Sequence, residues 1–268
     1  MTPENPKTQF LRRENDVQIA YHYTPGKGPG VIFLTGFKSD MTGGKALALE
    51  DHCRQQGRAV LRFDYQGHGE SSGKFEDGCI GEWTGDAIAV LDAIAQGPQI
   101  LVGSSMGGWI MLLAALQRRE RVAGLLGLAA APDFTEDLIW DAFNAEQRTA
   151  MDRDGRVEIP NCYDDATPYY ITKRLIDDGR NQLLLRGRID LDIPVRLIQG
   201  MCDEDVPWAT ALKISDCLAT DDVEVQLVKD GGHRLSEPHD LGRLYQTLDS
   251  LIEHIDRGGI PSLNGQRT

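Results

Sequence analysis

Gly103-Ser104-Ser105-Met106-Gly107 sets a serine between two glycines, each two residues away. A serine hydroxyl is a weak nucleophile at neutral pH until a neighbouring base takes its proton. The flanks carry more information than the pentapeptide. Gln99-Ile-Leu-Val102 reads as a buried strand leading in, and Gly108-Trp-Ile-Met-Leu-Leu-Ala-Ala115 as a helix leading out. The glycines leave room for a sharp turn, and the new helix aims its N-terminal dipole at the hydroxyl. Ser105 is therefore expected to be a nucleophile. A second match, Gly69-Glu-Ser71-Ser-Gly73, follows Gly67-His68 in a turn-rich stretch with no helix after it. Ser71 is expected on a loop, without that role.

A base and an acid must accompany the serine. Of six histidines, His233 lies in Lys229-Asp-Gly-Gly-His-Arg234, directly after the last predicted strand and before the final helix. It is the expected base. His68 is the rival because its loop also follows a strand, whereas His22, His52, His239 and His254 fall on a strand or on helices. For the acid, Val195-Arg-Leu-Ile-Gln-Gly-Met-Cys-Asp203 is a strand running into a carboxylate. Asp203 comes first after the strand and its turn, and a short side chain suits that place; Glu204 and Asp205 are the alternatives. The N–H of Met106 and the N–H of Phe37, in Thr35-Gly-Phe-Lys38, are the expected donors to an oxyanion. Gly36 lets that backbone approach closely. Chemistry of this kind calls for no metal and no cofactor.

The elements that must hold these groups are legible as short apolar runs alternating with helical patterns. That alternation is the mark of an α/β chain with a mostly parallel sheet covered by helices on both faces. Residues 17–23 alternate like an early edge strand. Residues 31–34, 59–63, 100–102, 125–128, 195–198 and 223–228 read as buried strands. Trp83, Ala87, Ile88, Leu91 and Ile94 recur at helical spacing, as do Leu241, Leu244, Tyr245, Leu248, Leu251, Ile252 and Ile255. Ser236 is expected to cap that last helix, with Pro238 in its first turn, and the polar tail from Arg257 onward is expected to fray. From about 132 to 190 no strand can be discerned. This stretch is predicted to be a small helical lid inserted between two strands of a single domain, 1–268. Phe37, Trp109, Trp140, Phe143, Tyr169 and Trp208 are predicted to line an apolar substrate pocket.

Composition narrows the class. The 268 residues hold 41 acidic and 28 basic side chains, a formal charge of −13. A nucleic-acid binder needs the opposite balance, and an anionic membrane surface would repel this one. No apolar run approaches the roughly 18 residues of a spanning helix. Five cysteines are scattered without a C-x-x-C pair, which excludes a disulfide framework or zinc spacing and points to a reducing compartment. Residues 1–10 have the features of neither a signal nor a transit peptide, so a cytoplasmic protein is expected.

Beyond the pentapeptide, Arg62-Phe-Asp64-Tyr-Gln-Gly67-His-Gly69-Glu-Ser71 and Gly200-Met-Cys-Asp203-Glu-Asp-Val-Pro207 resemble the D-x-x-G-x-G-x-S and G-x-x-D-x-x-V-P motifs of the α/β-hydrolase family of esterases, thioesterases and lipases. The run from Gly97 to Met111, with Lys45-Ala-Leu-Ala48, Arg62-Phe-Asp-Tyr65 and Val206-Pro-Trp208, is similar to a palmitoyl-protein thioesterase branch of that family. The resemblance implies an α/β-hydrolase fold, the family's order of serine, acid and histidine, and hydrolysis of a carboxylic ester or thioester through an acyl-enzyme. It implies a small acyl ester or an acylated protein as substrate, with fatty acyl groups on protein cysteines or acyl-glucuronide esters as the specific cases. A small-ester carboxylesterase, a peptidase, or a non-catalytic binding relative are the other readings. The match thins in the lid, and Thr35-Gly36 stands where many relatives carry His-Gly.

Overall fold

In the computed structural model, which describes residues 7–159 and 168–258, the strand residues 31–34 and 100–102 keep a period of two. Val31, Phe33, Ile100 and Val102 face one apolar layer, while Ile32, Leu34 and Leu101 face the other. The strands are β1 (Gln9–Arg12), β2 (Gln18–Thr24), β3 (Lys27–Leu34), β4 (Arg58–Phe63), β5 (Gln99–Ser104), β6 (Val122–Leu128), β9 (Val195–Gly200) and β10 (Val223–Val228), ordered β1-β2-β4-β3-β5-β6-β9-β10 in one sheet. β1 and β4 pair with β2 antiparallel; every other pairing in this sheet is parallel. Helices α1 (Gly44–Gln55) and α7 (Pro238–Gly258) cover one face, and α2 (Ile80–Ala93), α3 (Met106–Gln117) and α6 (Ala209–Cys217) the other. Burial on both faces is why β5 and β6 are near-continuous apolar runs.

Four local expectations change, the first being that residues 223–228 are not a buried strand: β10 is an edge of the sheet and only Val228 in it is buried. The strand over residues 17–23 is not the edge; β1 lies outside it. Gln-Phe-Leu-Arg is too short and too exposed to show alternation. Pro238 does open α7, but Glu237 precedes it, and the Glu237 N–H donates to Asp240 Oδ2 at 3.2 Å. The same helix runs to Gly258, so Arg257 is helical; residues 259–268 lie outside the described ones.

Between β6 and β9 the insert holds a π-helical turn (Thr135–Trp140), α4 (Ala145–Asp154), an antiparallel hairpin of β7 (Arg156–Ile159) and β8 (Tyr169–Thr172), and α5 (Lys173–Arg180). It is thus not wholly helical. Asn144 and Gln147 cap the start of α4 reciprocally, and left-handed Gly155 ends it. Val157 then pairs with Ile171, both buried, which gives four-residue strands enough apolar contact to form. At the base of the insert, buried Asp133 accepts the N–H groups of Leu184 and Leu185 at 2.7 and 2.8 Å and meets Arg186 at 3.2 Å. This carboxylate clasps the outgoing chain to the returning one.

Candidate active site

β5 ends at Ser104 and α3 begins at Met106, leaving Ser105 as the single hinge, at φ 53° and ψ −119°. A non-glycine residue held at such angles stores about 1–3 kcal/mol of strain and must be fixed by its surroundings. Here Ser105 N–H donates to Leu128 O at 2.9 Å, and Ser105 O accepts from Gly108 and Ala131 at 2.8 and 3.0 Å. The glycines are close-approach residues. A methyl group on Gly103 would lie 2.3 Å from Gly107 O, one on Gly107 2.1 Å from Leu34 O, and one on Gly108 2.5 Å from Ala130 Cβ. Side chains at these places would push helix and strands apart and lose the turn.

The loop after β10 brings His233 to this hinge. Its Nε2 lies 3.1 Å from Ser105 Oγ, and its Nδ1 lies 2.9 Å from Asp203 Oδ2. Asp203 follows β9, and its carboxylate is fully buried. Oδ2 also accepts from Gln199 Nε2 at 2.8 Å, while Oδ1 accepts the N–H groups of Asp205 and Val206 at 2.9 and 2.8 Å. Burial by itself would raise this carboxyl; the bonds from His233, Val206 and Asp205 prevail and hold it below the usual carboxylate range. An ionised Asp203 makes Nδ1 the protonated nitrogen, so Nε2 faces Ser105 with a lone pair. The alternatives Glu204 and Asp205 are exposed, and the bond from His233 goes to Asp203.

The rival histidine is elsewhere. His68 is buried, faces Gln66 O at 3.1 Å through Nδ1, and is ringed by Tyr65, Phe75 and Trp83. Burial pulls its pKa down to about 4. Ser71 braces a turn: its hydroxyl donates to Asp64 O at 2.6 Å and accepts from Ala20 N–H at 2.8 Å. The Asp64 carboxylate ties Met41 N–H (2.7 Å) to Glu70 N–H (2.9 Å), and a methyl on Gly69 would meet it at 2.0 Å. The D-x-x-G-x-G-x-S residues therefore hold the loop after β4 against the loop after β3.

That second loop carries Thr35, Gly36 and Phe37 over the hinge. A methyl on Gly36 would sit 3.5 Å from Ser105 Cβ and one on Gly107 2.7 Å from Thr35 O, so the start of this loop passes directly beside the serine and the first turn of α3. The Phe37 ring packs edge-on against Phe75 (4.8 Å), Phe134 (5.6 Å) and Tyr169 (5.9 Å), and Lys38 Nζ lies 4.8 Å from the Tyr169 ring. Of the predicted pocket residues, the structure gathers Phe37 and Tyr169. Trp140 and Phe143 pair with each other inside the insert, at 6.1 Å. Trp208 stands 40% exposed at the start of α6. Trp109 is fully buried, packs on Phe134 and donates its indole N–H to Gln182 O at 3.1 Å. It is a core residue, not a pocket wall. Phe75 and Phe134, whose rings meet that of Phe37, were missed, as was Gln199, a buried polar side chain one residue before the end of β9.

A sequence profile described as serine aminopeptidase, S33, matches residues 30–157. The chain is 40% identical over 246 residues to the protein named palmitoyl-protein thioesterase ABHD10, mitochondrial, of Pongo abelii, covering 92% of this chain and 80% of that one. The structure of α/β-hydrolase domain-containing protein 10 from mouse superposes with a TM-score of 0.87 at 39% identity, over 93% of this chain and 100% of the other. A putative hydrolase from Agrobacterium vitis S4 superposes with a TM-score of 0.88 at 39% identity, over 92% and 100%.

Proposed function

The chain belongs to the α/β-hydrolase family, among the ester and thioester hydrolases represented by ABHD10, and on that footing we propose that it removes acyl groups from protein cysteines or small acyl esters through an acyl-enzyme on Ser105. The reading is carried by one observation, the continuous contact from Ser105 Oγ through the His233 ring to the Asp203 carboxylate. His233 Nε2 takes the serine proton as Oγ attacks the acyl carbon, then passes it to the departing thiol or alcohol. A water, deprotonated in its turn by His233, releases the acid. The N–H groups of Met106 and Phe37 receive the negative oxygen at both tetrahedral stages; one such donor is worth about 10²–10³ in rate. The Phe37 and Tyr169 rings, packed edge-on where the loop after β3 passes the serine, form an apolar seat for an acyl chain.

A small-ester carboxylesterase is the second reading. It is favoured by the close packing of Phe37 among Phe75, Phe134 and Tyr169, which spends aromatic surface on the fold. Turnover of acyl-cysteine peptides and acyl esters from acetyl to palmitoyl separates the two: kcat/KM rising tenfold or more with chain length supports the first, and a steady fall supports the second. For place of action we infer the cytoplasm. The four described cysteines, Cys53, Cys79, Cys202 and Cys217, are free thiols, and no helix among the described residues is long and apolar enough to cross a membrane.

A further inference from the structure

An imidazole serving two partners must be held on both sides, because a misplacement of about 1 Å can lower a rate 10²-fold. On the near side of His233 the loop is fixed to the loop bearing the acid: Cys202 N–H donates to Gly231 O at 2.9 Å, and a methyl on Gly200 would lie 2.2 Å from that oxygen. On the far side the chain turns through Leu235, a buried residue in the left-handed region at φ 44°. A turn of that kind persists only where the surroundings over-determine it. The carbonyl just before it, Arg234 O, accepts a hydrogen bond from Lys45 Nζ, which reaches across from the first turn of α1.

We propose that Lys45 is a positioning residue for His233. By gripping the carbonyl of the next residue it keeps the imidazole between Asp203 and Ser105, and it does so best as the ammonium. The proposal rests on the reading of Ser105, His233 and Asp203 as the reacting groups. A charged donor makes a hydrogen bond about twice as strong as a neutral one, so the grip slackens when the proton leaves. The charged groups facing Lys45 are Asp240 from the first turn of α7, Arg234 from the loop and Asp203 from the end of β9. Burial pulls the ammonium down to about 8; Asp240 and Asp203 oppose that pull, and Arg234 adds to it.

The test uses the full chain, a chromogenic acyl ester, a fluorophosphonate probe and a thermal melt. Lys45→Met is expected to lower kcat about tenfold or more while KM changes less than about threefold, with labelling of Ser105 slowed in parallel and the melt little moved. Lys45→Arg, which keeps the charge, is expected to restore most of the rate. The wild-type kcat/KM is expected to turn down above pH about 8, and in Lys45→Arg that downturn disappears. A Lys45→Met enzyme that labels and turns over like wild type refutes the proposal and leaves the Ser105 reading intact. So does a loss of rate that tracks a lowered melt and is not restored by arginine. Ester turnover surviving in Ser105→Ala refutes both.

Discussion

At residues 69–73 a serine hydroxyl is turned into the chain's own backbone; at residues 103–107 one is turned toward a histidine. Both segments spell G-x-S-x-G. In the first, Ser71 bridges Ala20 N–H and Asp64 O, and the glycines yield to a carboxylate and to a neighbouring turn. In the second, the backbone of Ser105 is bonded to Leu128, to Gly108 of the new helix and to Ala131, and the side chain faces His233. The same letters therefore brace a loop or present a hydroxyl to a histidine, according to whether a helix starts one residue later. The flanking elements decide the chemistry.

The widest separation of the two serines should appear in turnover. Ser105→Ala is expected to reduce ester hydrolysis by about 10⁶-fold and abolish fluorophosphonate labelling, while Ser71→Ala keeps both. Labelling that survives in Ser105→Ala, or vanishes in Ser71→Ala, would reverse the assignment. Next in size is Asp203→Asn, expected to cut kcat about 10⁴-fold with the fold intact, because the amide favours the wrong tautomer of His233. Asp205→Asn should change kcat less than about tenfold, and the opposite ranking would move the acid to Asp205.

The bracing loop has its own signature, in stability. His68 titrates at about 4 when folded and near 6.5 when unfolded. Between those values the unfolded chain binds the extra proton, so stability falls as pH falls. The loss approaches roughly 3 kcal/mol by pH 4. Urea unfolding at pH 7 and pH 4.5 should show a smaller acid loss in His68→Leu than in wild type; equal losses would mean His68 is not buried neutral. The smallest effect is that of Ser71→Ala on stability. It should be about 1–2 kcal/mol, from leaving Ala20 N–H and Asp64 O without their hydroxyl. A urea midpoint unchanged at constant slope would show the bridge to be idle.

These contrasts also explain what could be read in advance. That Ser105, Asp203 and His233 come together was legible because each follows a strand, where chain order and turn residues leave few candidates. β1 and the β7–β8 hairpin were not, since four-residue strands with at most one buried side chain carry almost no periodic signal. Trp109 was misplaced because an apolar helix entering the core and one lining a pocket have the same composition. Lys45 had no signal at all: its partner is a backbone carbonyl 189 positions away, and backbone carbonyls look alike in every sequence.

The clasp at Asp133 has a consequence for how such a chain can diversify. Because one carboxylate binds Leu184 and Leu185 beside the point where the insert departs, the two ends of the insert are fixed by the body, whatever lies between. Closing a flexible segment between fixed ends grows only logarithmically harder with its length, about 0.6 kcal/mol for each doubling. The turns and exposed faces between them can therefore lengthen or change at little cost, whereas Phe143, Met151, Val157, Ile171, Leu175 and Ile176, which the insert buries in the core, are held in place.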